Sequence, residues 1–328
     1  MRALVTGGAG FIGSHLVDAL LERGDEVRVL DNFATGDRRN LVHCAAEVQI
    51  VEGDLRSFER VAAAVRGVDL VFHQAALPSV PRSVQDPLTT SEVNVTGTLN
   101  VLLAARDFDV QRVVHASSSS VYGAVEAESK HEDLPIAPLS PYAVSKFAGE
   151  GNCRAFFQVY GLQTVAIRYF NVFGPRQNPI SEYAAVVPNF IAASLLDEPA
   201  VVHGDGLQSR DFTFVGNVVQ ANLLAAEAPD VAGEVINVAM GDSHTILDLA
   251  RIVGELAGRP LKLHHDEARV GDVRQSLADI SKARRLLGYE PSIGFSEGLE
   301  RAFAYLSTDD SLVPRIQEAR RWMALSRS

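Results

Sequence analysis

The chain has 328 residues, 47% of them hydrophobic and 22% charged, enough apolar content to bury a large core in one domain or in two that share an interface. Its formal net charge of -11 argues against nucleic acid or an anionic membrane surface as a partner. No apolar run is long enough to cross a bilayer, and Thr6-Gly7-Gly8 interrupts the first apolar stretch before it could serve as a secretory leader.

In chain order, Ala3–Thr6 reads as a short strand ending in glycines, and Phe11–Arg23 has helical spacing with Gly24 as its stop. Further strands are expected at Glu26–Leu30, Val48–Val51 and Leu70–Phe72, a long helix at Thr89–Arg106, and a strand at Arg112–Ala116. A second long helix, Tyr142–Tyr160, stops at Gly161 and precedes a strand at Thr164–Arg168. Strands alternating with helices predict an α/β fold, a Rossmann-type doubly wound parallel sheet that binds ligands beyond the carboxyl ends of its strands. After Phe173, Gly174-Pro175, Asn178-Pro179 and Pro188 punctuate the chain. The expected division is 1–173 for a dinucleotide-binding domain and 174–328 for a smaller substrate domain, with residues 235–240 returning to the first sheet. Cys44 and Cys153 lie in no metal-ligand spacing and suit reduced thiols in a cytoplasmic protein.

Gly7-Gly8-Ala9-Gly10-Phe11-Ile12-Gly13 follows the first strand and opens the first helix. Gly7 permits a tight turn, Gly10 lets backbone approach a pyrophosphate, and Gly13 lets helix and sheet pack closely. Asp31, at the end of the second strand, is placed to accept hydrogen bonds from a ribose 2′-hydroxyl and to repel a 2′-phosphate. That favours NAD over NADP, although Arg38 and Arg39 lie nearby and would soften the preference. Asp54-Leu55, after the third strand, is a contact for the adenine edge or an ordinary loop acid.

Tyr142 and Lys146 are one helical turn apart and share a face. A lysine cation and an oxidised nicotinamide would both favour the tyrosine phenolate, making Tyr142 a base for a sugar hydroxyl. Ser117–Ser120 lie at the carboxyl end of the preceding strand, where a serine can bond the reacting oxygen and others serve as caps. His15 and His73 read as core or turn residues, His264-His265 has no ligand pattern, and no metal is expected.

Together these segments resemble the extended short-chain dehydrogenase/reductase family, specifically its nucleotide-sugar epimerases, over essentially the whole chain. The markers are Gly7–Gly13, Asp31-Asn32, Asn94, Ser118–Tyr122-Gly123, Tyr142–Lys146, Arg168–Gly174, Gly204–Phe212 and Arg269–Asp279. The resemblance implies Ser118, Tyr142 and Lys146 as catalytic residues. It implies cofactor contacts at Asn32, Gln74, Ala75, Ala76, Asn94 and Phe170 besides the glycine loop, Asp31, Asp54 and Leu55. For a UDP-sugar it implies Ser79, Arg82, Ser119, Ser120, Asn171, Val187, Val201 and His203. Arg210 and Arg269 would clamp the pyrophosphate, and Asp272 would take the uridine ribose. Paired guanidiniums are the expected answer to a diphosphate on an acidic protein.

Dehydratases and decarboxylases of the family place an acid after the catalytic Ser/Thr; here those positions are Ser119 and Ser120, which favours plain C4 epimerization through a ketone. At the family's gatekeeper position Ser276 leaves room for an N-acetyl group. UDP-GlcNAc/UDP-GalNAc is therefore preferred, with UDP-Glc/UDP-Gal also accommodated. UDP-glucuronate or its N-acetyl form is the alternative, with Arg82 or Arg176 as the cation near C6. A dehydratase or decarboxylase and a non-catalytic NAD-sensing module are the remaining alternatives. The two long helices suit pairing in a homodimer or covering of a single subunit.

Overall fold

The computed structural model describes residues 1–180, 185–267, 274–309 and 311–318. Its first half runs β1 (Arg2–Thr6), α1 (Phe11–Glu22), β2 (Glu26–Asp31), β3 (Val48–Glu52), α2 (Phe58–Val65), β4 (Leu70–His73), α3 (Val80–Gln85), α4 (Pro87–Ser91), α5 (Gly97–Asp107), β5 (Arg112–Ser118), α6 (Pro141–Tyr160) and β6 (Gln163–Tyr169). Then follow β7 (Val172–Phe173), α7 (Val186–Leu196), β8 (Ala200–His203), β9 (Ser209–Arg210), β10 (Thr213–Phe214), α8 (Val215–Glu227), β11 (Glu234–Val238), β12 (His244–Thr245), α9 (Ile246–Leu256), β13 (Leu263–Asp266), β14 (Gln275–Ser276), α10 (Ser281–Leu287) and α11 (Phe295–Ser307).

Seven strands form one parallel sheet in the order β11-β6-β5-β4-β1-β2-β3. Successive strand residues are buried on opposite faces, because helices cover both sides. Ala3, Val5, Val27, Val29, Leu70 and Phe72 join α1, α8 and α10 in one core. Leu4, Leu30, Val71 and Val113 join α2, α5 and α6 in another. The strand order reverses between β1 and β4, so the loops after these two strands diverge and leave a crevice.

The helix expected at Thr89–Arg106 is instead α4, a widened π-helical turn Glu92–Thr96, and α5. Two polar groups account for the widening. Thr98 Oγ1 donates to the Asn94 carbonyl at 2.6 Å, and the Asn94 side chain is drawn to Leu77 and Ser145. At α6, Gly149 allows helix and sheet to meet closely, since a Cβ there would overlap His115 Nε2 on β5.

A third core gathers α7, α9 and α11 around Phe173, Phe190, Phe212 and Phe214. Phe173 meets Phe212, Phe214 and Phe295 edge-on, and Phe212 stacks on Phe295. A small three-stranded sheet, β12-β9-β14, lies beside this core. Beyond residue 173, α8, β11 and α10 pack on the large sheet, so the chain crosses between the two halves more than once. Among the described residues no helix is long and apolar enough to cross a membrane.

Candidate active site

The glycine loop closes the crevice between β1 and β4. Gly7 has φ +70°, and a Cβ there would lie 2.8 Å from the Ala75 backbone, so the two loops can touch only through glycine. A Cβ on Gly13 would overlap the Gly7 carbonyl oxygen. Gly10 caps α1 with extended backbone and no side-chain acceptor, which leaves the first helical N–H groups open to an anion. Phe11 and Ile12 start the helix and lean into the third core.

At the end of β2, Asp31 accepts the Ala9 N–H at 2.9 Å and the Phe33 N–H at 2.8 Å, one on each carboxylate oxygen. Burial pushes its pKa up, and those two bonds oppose the shift. Each oxygen keeps a lone pair for a ribose hydroxyl. Arg38 is paired with Glu52 at 2.5 Å and Arg39 with Asp37, so neither is left to attract a 2′-phosphate. Asn32 donates to Asp54 at 3.0 Å, and the Arg56 guanidinium, then Asn32, holds the Asp54 carboxyl down at about 2. Leu55 is buried against Gly97. A glycine cradle that Cβ atoms would fill, an open helix N-terminus and a half-satisfied carboxylate fit NAD.

Across the crevice, α6 starts at Ser140, whose Oγ accepts the Ala143 N–H at 3.2 Å, with Pro141 in the first turn. The helix turns Tyr142, Lys146 and Glu150 toward the end of β5. The Tyr142 phenol faces Ser118, near enough for the serine to oppose the rise of its pKa, and Lys146 Nζ lies 5.9 Å from the Tyr142 ring centroid. Lys146 Nζ donates to the Ala116 carbonyl at 2.7 Å. Burial lowers the Lys146 pKa to about 8, opposed by Glu150. The lowered phenol expected at Tyr142 is corrected for the protein alone. Burial raises it, and Ser118 only partly offsets that.

The four serines have separate fates. Ser117 Oγ donates to Glu150 at 2.5 Å, and Ser118 Oγ accepts the Ser120 N–H at 3.2 Å besides meeting Tyr142. Ser119 opens the short 3-10 turn Ser119–Tyr122. Ser120 Oγ is buried with no hydrogen-bond partner among the described residues, as a group waiting for a ligand would be.

After β4, Gln74 bonds Asn222 at 3.0 Å and Tyr169 at 3.1 Å, which orients the run into Ala75 and Ala76. The buried Asn94 amide bonds both the N–H and the carbonyl of Leu77, and also Ser145. Both of its donors are thus spent on the loop and on α6, so it acts on the crevice through the protein. Phe170 has its ring in the core, 6.2 Å from Tyr122. Ser79 caps α3 at φ 106°, a strained backbone for a serine at the crevice edge, and Arg82 follows on that helix.

A cavity of about 250 Å³ adjoins this face. It gathers Asn171, Val187, Val201, His203 and Arg210, five of the residues expected to hold substrate. Ser276 stands opposite Arg210 in the β14–β9 register, flanking the same wall. Beside them the fully buried Asp211 accepts the N–H groups of Met240 (2.9 Å), Gly241 (3.0 Å) and Ala278 (3.2 Å). Burial pushes its pKa up to about 7 against those bonds. Asp211 thereby ties the end of β11 to the strands carrying Arg210 and Ser276. Arg269 and Asp272 lie outside the described residues.

Sequence reading missed Gln208, Phe212 and Ile246 as cavity walls, because no local spacing marks a wall. Glu150 carried a signal, one further turn beyond Tyr142 and Lys146. Arg176, a candidate cation for a uronate, is instead paired with Asp18 on α1 at 2.7 Å. The donor atoms of Asp18, His43 and Cys44 lie within 4.8 Å of one another. Arg176 and His43 already occupy the Asp18 carboxylate, and Cys44 Sγ is directed at the Leu41 carbonyl. Asp31→Asn is expected to weaken NAD binding by roughly 10- to 100-fold, the worth of a hydrogen bond to a charged acceptor. Calorimetric titration of the purified protein with NAD checks this; unchanged affinity would place the ribose elsewhere.

The model of the NAD dependent epimerase/dehydratase family matches residues 3–239. The UDP-glucose 4-epimerase of Mycolicibacterium smegmatis is 39% identical over 314 residues, which cover 93% of this chain and 98% of that protein. Among solved structures, the UDP-N-acetylglucosamine 4-epimerase from Methanobrevibacter ruminantium M1 in complex with UDP-N-acetylmuramic acid is 39% identical. It superposes with a TM-score of 0.89 over 94% of this chain and 98% of its own. The UDP-glucose 4-epimerase of Thermus thermophilus in complex with NAD is 40% identical, with a TM-score of 0.87 over 94% of this chain and 100% of its own. The matched span runs from the first strand of the large sheet to its last, and it contains the glycine cradle, Asp31 and the Tyr142–Lys146 face; the chain belongs to the NAD dependent epimerase/dehydratase family.

Proposed function

We propose that this protein interconverts the C4 epimers UDP-N-acetylglucosamine and UDP-N-acetylgalactosamine. At the coarser level it is an NAD-dependent UDP-sugar 4-epimerase, as its similarity to the 4-epimerases of known structure indicates. The observation that carries the reading is that Tyr142 faces Ser118 with Lys146 one helical turn on, at the carboxyl end of β5.

The chemistry that bound NAD supplies is reversible two-electron exchange at a sugar carbon. Tyr142 takes the proton of the 4-hydroxyl, and Ser118 hydrogen-bonds the same oxygen as it becomes a carbonyl. The Lys146 ammonium favours the phenolate. Tyr142 returns its proton once the 4-ketone has presented its other face. Asn171, Arg210 and the cavity walls hold the nucleotide while the hexose turns. The carboxylate nearest the serine run, Glu150, is spent on Arg168 and Ser117. Ser119 and Ser120 themselves supply no acid for elimination, which favours epimerization over dehydration.

The small Ser276 beside Arg210 supports the N-acetylated sugar, since a larger residue would take up the room its acetamide needs. A UDP-hexuronate is the second reading. It is favoured by Arg82, a half-buried residue of α3 at the crevice edge. The exposed apolar side chains of Val144 and Phe147 on α6, Val80 and Val84 on α3 and Leu88 on α4 form one patch on adjoining helices. This patch fits a two-fold homodimer, which the mass in solution by light scattering checks.

Incubation with a panel of UDP-sugars, followed by NMR of the C4 epimers, tests the substrate; turnover of UDP-glucuronate alone would select the second reading. Tyr142→Phe should lower kcat by at least about 100-fold with UDP-sugar affinity nearly intact, and retention of most activity would refute the base. Ser276→Tyr should penalise the N-acetylated pair more than UDP-glucose; equal loss for both would dismiss the gatekeeper.

A further inference from the structure

Three successive turns of one face of α6 meet three consecutive residues of β5. Tyr142 faces Ser118, Lys146 bonds the Ala116 carbonyl at 2.7 Å, and Glu150 accepts from Ser117 at 2.5 Å. Arg168 lies opposite Ser117 in the β5–β6 register and closes the arrangement. Its Nε and Nη2 each donate to Glu150 at 2.8 Å, and its guanidinium carbon lies 4.7 Å from the Tyr122 ring centroid. Lys146, Glu150 and Arg168 are all buried, at 5%, 3% and 4% exposure.

A buried ion pair of this kind is weak evidence for a stability role, because an apolar pair of the same volume commonly serves as well or better. The neighbour that needs it is Lys146. The groups facing this ammonium are Tyr142 and Glu150 on its own helix, His73 on β4 and His115 on β5, with Arg168 on β6 behind Glu150 and bonded to it. Burial keeps both histidines and the phenol neutral, and Arg168 is a like charge. Among these, Glu150 is the anion.

We propose that Glu150 is a positioning residue for the epimerization. It locks α6 to the ends of β5 and β6 and sets a carboxylate one helical turn beyond the Lys146 ammonium that stands beside Tyr142. This rests on the reading of Tyr142 as the base. Without the carboxylate, burial acts on Lys146 unopposed. The ammonium then loses its proton at lower pH, and the support it gives the phenolate is lost over the alkaline part of the working range.

The test compares the parent protein with Glu150→Gln and with the double variant Glu150→Gln/Arg168→Met, which leaves no unpaired buried guanidinium. Side-chain NMR of ¹³Cε-labelled lysine, assigned by the signal missing in Lys146→Met, reads the titration directly on the NAD-saturated protein. The midpoint should fall by roughly one to two units in the single variant, the effect of losing one charge a helical turn away, and by less in the double variant, where the like charge of Arg168 goes as well. The alkaline limb of kcat should move with it. If Glu150→Gln does not fold, the double variant is compared with Arg168→Met, so that only the carboxylate differs. A midpoint that stays put in folded variants overturns the proposal, as does a moved midpoint with a fixed alkaline limb. Full turnover by Tyr142→Phe would instead defeat the base assignment and leave the lysine titration standing.

Discussion

Everything at the site depends on how α6 lies across the carboxyl end of β5. Oxidation and reduction at a sugar carbon need a phenol, an ammonium and a hydroxyl held within hydrogen-bond reach of one another and of a dinucleotide. No flexible loop could hold that geometry against thermal motion. Here the phenol and the ammonium ride on one long helix, and the hydroxyl ends a central strand. The helix is pressed onto the sheet where Gly149 carries no side chain above His115. The asparagine of the widened turn reaches both α6, through Ser145, and the loop after β4, through Leu77. The elements flanking the crevice are thus braced against one another.

The electrostatics follow from burial. The chain is acidic as a whole, and the arginines nearest the ribose-binding carboxylate are neutralised by Glu52 and Asp37. Asp31 itself is raised by burial and held down by the Phe33 and Ala9 N–H groups and by Arg38. On the other side of the crevice the field reverses locally, with Arg210 in the cavity wall and Lys146 at the end of β5. Burial raises the phenol and lowers the ammonium, which brings two groups with ordinary pKa values near 10 toward opposite sides of that value. The small sheet bearing Arg210 and Ser276 is joined to the end of β11 by Asp211, so the nucleotide wall moves with the large sheet.

Much of the architecture was legible in the chain, and the parts that were not share a cause. The alternating sheet, the glycine turn and the Tyr142–Lys146 pair were readable because each rests on contacts between residues close in sequence. The long helix at Thr89–Arg106 was read as regular because its apolar spacing is regular. Its break comes from Leu77 and Ser145, which are distant in sequence. Arg176 looked available to a substrate because Asp18, its partner, is more than a hundred positions away. The expected lowering of the Tyr142 pKa overlooked burial, which no residue list displays.

Local spacing, then, determined by itself that this protein would carry a parallel sheet, a phosphate-binding turn after its first strand, and a tyrosine and lysine on one helical face. Tertiary structure alone decided which arginines are spent on ion pairs, and that a third turn of the same helix brings a carboxylate onto Ser117 and Arg168. The reason is physical. Helical and strand periods are short-range properties of the backbone, whereas hydrogen-bond partners, desolvation and ion pairing are set by atoms that come together only when the sheet closes.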